Sequence, residues 1–260
     1  MTCDELVKNY GELLKHCDES LDGEFYRLIN SEHLTWIPWI GADWRKAEKR
    51  ILIVGESHYA SEPGAKNLEE RVEQWQHDFY GTREVVMEDG IGRWRWNPFL
   101  ENLHRVLFGK DINGEERVAL WRHLAFCNFI QCPMADRKKR PGAAEFSNGW
   151  PKFLELLKLL SPDRVIFSGV SAAKCFADEM IKMGIDHRAN RGICRNRARP
   201  WILSANVAGR MIDMLAIRHT SRYFSWPKWR EYLVQTIPDD IAYLQRIASC
   251  LIQPSQTSSD

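Results

Sequence analysis

Short continuous apolar runs alternate with amphipathic stretches of helical period along the chain. The clearest run is Ile51-Leu52-Ile53-Val54, which follows Lys49-Arg50 and passes through Gly55 into Glu56. An uninterrupted run of this length, bounded by charge and glycine, reads as a strand buried on both faces. His123 to Pro133 reads as a second core strand and Arg164 to Gly169 as a third. Trp201 to Ala205 and Met211 to Ile217 read as the last two. Over residues 2–30, Leu6, Leu13, Leu14, Leu21, Phe25 and Leu28 recur at helical spacing. Leu34 to Trp44, with Pro38 and Gly41, reads as an aromatic loop. Residues 67–79, 115–122 and 147–160 read as helices, and Asn97-Pro98 opens another. Val170 to Gly184 reads as a helix closed by its glycine, and Trp226 to Leu251 as one long final helix. Strand, turn and helix in succession are the unit of a parallel α/β sheet.

The 260 residues are 44% hydrophobic and 27% charged, which suits one domain over 1–252 with a helical N-terminal extension. The polar tail 253–260 reads as disordered. A net charge of +1 provides no global field, so any affinity for nucleic acid must come from local patches. The seven cysteines form no CxxC pair, and no apolar stretch suits a signal peptide or a membrane span. A reducing cytoplasm with free thiols and no metal is the expectation. No Gly-x-Ser-x-Gly elbow or P-loop appears, which speaks against a small-molecule hydrolase of α/β type.

Buried parallel strands deliver functional groups at their carboxyl ends. Glu56, His58 and Tyr59 follow the first strand, Asn128 lies in the second, and His219 follows the last. Two basic segments stand out. Residues 135–142 contain Arg140, and residues 187–200 read as a loop containing Arg188, Arg191, Arg195, Arg197 and Arg199 without an acid. Each is either solvated surface or a phosphate-contacting loop. Arg93 and Arg95 interleave with Trp94 and Trp96, as a nucleic-acid rim or as a packed helix start.

Four stretches, in this order, resemble the uracil-DNA glycosylase superfamily. ILIVGESHY at 51–59 resembles its first motif, a hydrophobic strand followed by Gly-Gln-Asp-Pro-Tyr-His or Gly-Glu-Ala-Pro-Gly. Glu56 falls at the glutamate of the second form and Tyr59 at the tyrosine of the first. CNFIQCPMADRKKRP at 127–141 is similar to the Asn-Val-Val-Lys-Cys-Arg-Pro-Pro-x-Asn-Arg-x-Pro run of the iron–sulfur branch. LLKLLSPDRVIFSGVSAAK at 156–174 looks like Leu-x-Pro-x-Val-Ile-Val-Ala-Leu-Gly-x-x-Ala-Ala-Lys. IRHTSRYF at 217–224 resembles the second catalytic motif, His-Pro-Ser with a DNA-wedging loop. The chain departs from the pattern at Ser57, His58 and Thr220, where the family carries Asp, Pro and Pro. Only Cys132 falls at a cluster-cysteine position, so no iron–sulfur cluster and no other cofactor is expected.

The resemblance implies a three-layer α/β/α sandwich around a central, mainly parallel four-stranded sheet. It implies a monomer acting on duplex or single-stranded DNA, hydrolysing the N-glycosidic bond of a flipped base. Glu56 would stabilise the sugar cation and position water, and His219 would donate to the leaving base. Asn128 would read the base, with Tyr59 crowding its 5-position and Phe99, or alternatively Phe79, as stacking platform. His58 would assist Glu56 or line the pocket. Ser221, Arg222 and Tyr223, with Phe224, would wedge the strand, while Arg140, Arg195 and Arg197 contact phosphates. The base would be uracil or a modified base such as a phage-type modified cytosine, the latter in antiviral defence. A non-catalytic nucleic-acid-binding relative is the alternative.

Overall fold

In the computed structural model, which describes residues 3–60, 67–135, 140–193, 198–221 and 223–250, the run at Ile51–Gly55 is a strand with every residue buried. The strands are β1 (Trp39–Ile40), β2 (Ile51–Gly55), β3 (Leu124–Asn128), β4 (Arg164–Ser168), β5 (His187–Arg191), β6 (Trp201–Val207) and β7 (Arg210–Ile217). They form one mixed sheet in the order β1-β3-β2-β4-β7-β6-β5. Around it lie α1 (Cys3–Leu14), α2 (Asp22–Asn30), α3 (Leu68–His77), α4 (Gly81–Val85) and α5 (Pro98–Phe108). They are followed by α6 (Gly114–His123), α7 (Ala143–Leu160), α8 (Phe176–Lys182), α9 (Trp226–Thr236) and α10 (Pro238–Cys250).

The α/β class read from the sequence holds, but the sheet has seven strands and is mixed, not the four-stranded sheet expected. Strands β3, β2, β4 and β7 run parallel at its centre. Antiparallel strands extend it at both sides, β1 beyond β3, and β6 and β5 beyond β7. In β2 and β3 every position is buried, so both faces of the parallel centre are covered.

Four local readings change, each for a physical reason. The N-terminal helical stretch divides into α1 and α2, because Cys17 leaves the helix to bridge Gly41. Trp39 and Ile40 inside the aromatic loop are an edge strand, since both side chains are fully buried beside β3. The final helix breaks at Ile237, where Pro238 starts α10; a residue before proline is driven out of the helical region. The basic segment 187–200 begins as strand β5, its half-buried and exposed residues alternating at His187, Arg188, Ala189 and Asn190. The β6–β7 hairpin turns at Ala208 (φ 52°) and Gly209 (φ 84°), the two positive φ values of a type I′ turn.

Arg83 of α4 ties the N-terminal layer to this frame. Its side chain is fully buried and donates to Asp22 Oδ2 (3.0 Å) and Oδ1 (2.5 Å) of α2, and to the Pro38 carbonyl (3.2 Å). Removing one partner of such a pair leaves a carboxylate and a carbonyl without donors in a water-poor site. Arg83→Ala should lower the urea-unfolding free energy by about 3 kcal/mol. Stability equal to wild type would contradict this role.

Candidate active site

Glu56 is the first polar residue after β2. Its backbone height is fixed by Phe129 N donating to the Gly55 carbonyl (3.0 Å) and Ile130 N to the Glu56 carbonyl (2.9 Å). The pairing continues outward, where Met134 N bonds the His58 carbonyl and Ala60 N the Met134 carbonyl, both at 2.8 Å. The chain leaves β2 toward β3 and leaves β4 toward β7, so the gap between β2 and β4 is the topological switch point of the parallel centre. A hollow lies there, lined by Gly55, Glu56, Phe129, Phe167, Ser168 and Gly169 among others. Its volume is about 10 Å³, room for about one water.

The Glu56 carboxylate is 3% exposed and fully engaged. Arg140 grips it with two bonds, Nε to Oε1 at 3.0 Å and Nη2 to Oε2 at 2.5 Å. The Tyr59 hydroxyl donates to Oε1 at 3.3 Å. Burial raises the Tyr59 pKa, so the phenol stays protonated as donor.

His219 and this carboxylate both lie beside Gly169. A Cβ added to Gly169 would lie 3.6 Å from Glu56 Oε2 and 3.9 Å from His219 Cδ2. Gly169 also has φ 145°, which disfavours a larger residue. Ser221 N points at His219 Nδ1 at 3.3 Å. A backbone N–H can only donate, so Nδ1 is the acceptor and the proton of the neutral ring sits on Nε2. Burial lowers the His219 pKa to about 4, with Glu56 pulling it up and Arg140 pushing it down. At neutral pH His219 is therefore an uncharged Nε2–H donor whose Cδ2 edge faces Gly169.

The turn that carries His219 is bolted from two sides. Thr220 N donates to Ser168 Oγ (3.0 Å), and its hydroxyl donates to the Phe99 carbonyl (2.9 Å). Asn102 Nδ2 donates to the Thr220 carbonyl (2.8 Å) and the Ser221 carbonyl (3.2 Å). The proline expected at 220 by resemblance has no N–H for Ser168; threonine supplies both that donor and a hydroxyl. Ser221 thus orients the imidazole through its backbone.

Asn128 stands on the neighbouring side of the same sheet end. Its Oδ1 would lie 2.2 Å from a Cβ on Gly55, so only glycine leaves room for the amide. Its side chain has no hydrogen-bond partner among the described residues. Phe99 links the halves, its ring 5.3 Å from His219 and 6.1 Å from Phe126, the neighbour of Gly55. Asn97 caps the start of α5, accepting from Phe99 N at 3.1 Å, which fixes this ring.

The other expected residues are placed differently from one another. His58 turns into the core: its ring stacks on Trp75 (4.7 Å), meets the edge of Trp36 (4.6 Å) and bonds Thr82 Oγ1 (2.9 Å). Burial lowers its pKa to about 3, so it anchors the 56–60 turn to α4 as a neutral ring. Arg140, expected on phosphates, is held by Glu56 in this state. Phe79 packs edge-on against Tyr26 at 6.3 Å. Arg93 and Arg95 pair with Glu101 (3.5 Å) and with Glu88 (2.5 Å) and Asp89 (3.2 Å), as befits a packed helix start. Trp94 and Trp96 remain exposed, and Trp94 stacks on Tyr10 at 5.6 Å. Strand β5 carries Arg188 and Arg191 four strands from β2, about 19 Å at ~4.8 Å per strand. Tyr223 is 88% exposed with φ 61°, beside the His219 turn. Arg195, Arg197 and Arg222 lie outside the described residues.

Sequence reasoning missed Ser168, Gly169, Asn102 and Thr82. Ser168-Gly169 had a signal, the carboxyl end of a strand neighbouring β2; Asn102 and Thr82 had none. Among the described residues no three His, Cys, Asp or Glu side chains group as metal ligands, and no helix is long and apolar enough to cross a membrane. No known protein family matches the chain, and no curated protein matches it.

The pH dependence of stability follows from the sign of the histidine shift. A folded pKa near 4, against an ordinary 6.5, means the unfolded chain takes the proton first. The contribution of His219 is complete above pH 6.5 and is lost as pH falls toward 4. Wild type should lose about 2 kcal/mol more than His219→Gln over that window in urea titrations; the full shift is discounted because solvent reaches part of the ring. Equal slopes for the two proteins would refute a neutral buried His219.

Proposed function

We propose that the chain is a DNA N-glycosylase of uracil-DNA glycosylase-like, three-layer architecture, acting as a cytoplasmic monomer. The observation that carries the proposal is the meeting of a buried carboxylate, Glu56, and a neutral Nε2–H imidazole, His219, across Gly169 at the switch point. Breaking an N-glycosidic bond leaves positive charge on the sugar and negative charge on the base. A carboxylate suits the first and a neutral N–H donor the second. The one-water hollow beside Glu56 suits the attacking nucleophile.

The base enters from the Phe99 side. Phe99 offers a ring face next to His219, and the Asn128 amide, without a hydrogen-bond partner among the described residues, offers a donor and an acceptor to its edge. Tyr59, held on Glu56, limits a 5-substituent. Tyr223, 88% exposed, would fill the stack the base leaves. The substrate is uracil or a modified base; departures at Ser57, His58 and Thr220 motivate the modified base and a role against phage DNA. The alternative, a strand-binding protein without hydrolysis, is favoured by one observation: Arg140 occupies both oxygens of Glu56.

Oligodeoxynucleotides containing uracil, hypoxanthine, or hydroxymethyl- or glucosylated cytosine decide between them. Alkali-labile abasic product from at least one is expected. Glu56→Gln should slow its formation about 10²–10⁴-fold and His219→Ala about 10²–10³-fold, with unchanged circular dichroism. Salt-sensitive binding without abasic product would support the binding-only alternative. Release of uracil alone would remove the phage-DNA role.

A further inference from the structure

The Glu56–Arg140 pair is at odds with the chemistry assigned to Glu56. Both carboxylate oxygens are taken, and a guanidinium stands where positive charge has to develop on a sugar. The two partners are unequally placed: the Glu56 side chain is 3% exposed and that of Arg140 55%. Arg140 can therefore swing into solvent, whereas Glu56 cannot follow. Leaving a buried carboxylate without this cation is costly, so the arginine departs only where a competing phosphate offsets the loss. The planar guanidinium fork fits a phosphate as well as a carboxylate.

We propose that this ion pair is the closed state of an exchange. A phosphodiester of the bound DNA strand takes Arg140, and the sugar of the flipped nucleotide takes its place beside Glu56. Arg140 is in this sense a placeholder for the sugar cation. Release of the carboxylate becomes conditional on a phosphate, so the site selects a nucleotide within a strand over a free nucleoside. The exchange deepens the glycosylase reading and rests on it for the ligand, but it is testable without base release.

The test is a double-mutant cycle on affinity for a single-stranded oligodeoxynucleotide carrying a central tetrahydrofuran abasic site. Glu56→Gln frees Arg140 and should tighten binding about 3-fold, while Arg140→Gln should weaken it about 10-fold and reduce the salt slope by about 1. In the Arg140→Gln background, Glu56→Gln should change affinity less than about 2-fold, because the coupling is gone. Arg140→Lys keeps the charge but not the fork and should keep the salt slope with intermediate affinity. Melting curves check the fold of each variant. The proposal is overturned if Glu56→Gln fails to tighten binding in the presence of Arg140, if its effect is the same in both backgrounds, or if Arg140→Gln leaves the salt slope unchanged. Coupling without any abasic product would uphold the exchange and remove the hydrolysis. Abasic product without coupling would do the reverse.

Discussion

A strand walled in on both faces has no place for a polar side chain until it leaves the sheet. β2 obeys this constraint: Ile51 to Val54 are fully buried, and β3 and β4 pair with it in register on either side. Glu56 is therefore the first position where a carboxylate is tolerated, and it emerges at the switch point. Its height is then set by backbone bonds from Phe129 and Ile130, which a side-chain substitution cannot remove.

The imidazole is placed by a different device. His219 follows β7, next to β4, and its turn is held by hydrogen bonds with β4 and α5. Those bonds decide chemistry as well as position. Once Ser221 N occupies Nδ1, the remaining ring nitrogen has to be the donor. Helix α5 contributes the Phe99 ring and the Asn102 amide on one rigid element, so the position of that ring and the orientation of His219 are coupled. Gly55 works by absence, leaving the space that the Asn128 amide occupies, whereas Gly169 is required by its φ of 145° and not by crowding.

The parallel centre was legible because buried strands are short, apolar and followed by helices. Glu56, Asn128 and His219 were legible for the same reason, as polar residues at strand ends. What escaped is what periodicity does not encode. Two residues, Trp39 and Ile40, are too few to show a period, and a strand such as His187–Arg191 reads as loop when its exposed positions are arginine and asparagine. His58 looked catalytic from its position two residues after Glu56, but burial between Trp36 and Trp75 depends on segments distant in sequence. Arg140 belongs to a basic run whose composition says nothing of which arginine folds back onto a carboxylate 84 residues earlier.

On the proposed function, Glu56 and His219 act on one glycosidic bond from its two ends. A crystal structure with an oligodeoxynucleotide whose target nucleotide carries 2′-fluorine, which binds but resists cleavage, tests it most directly. The account predicts a flipped nucleotide with its sugar against the Glu56 carboxylate and its base on Phe99, within hydrogen-bond reach of His219 Nε2. A nucleotide bound away from Gly169, with Glu56 and His219 untouched, would contradict it.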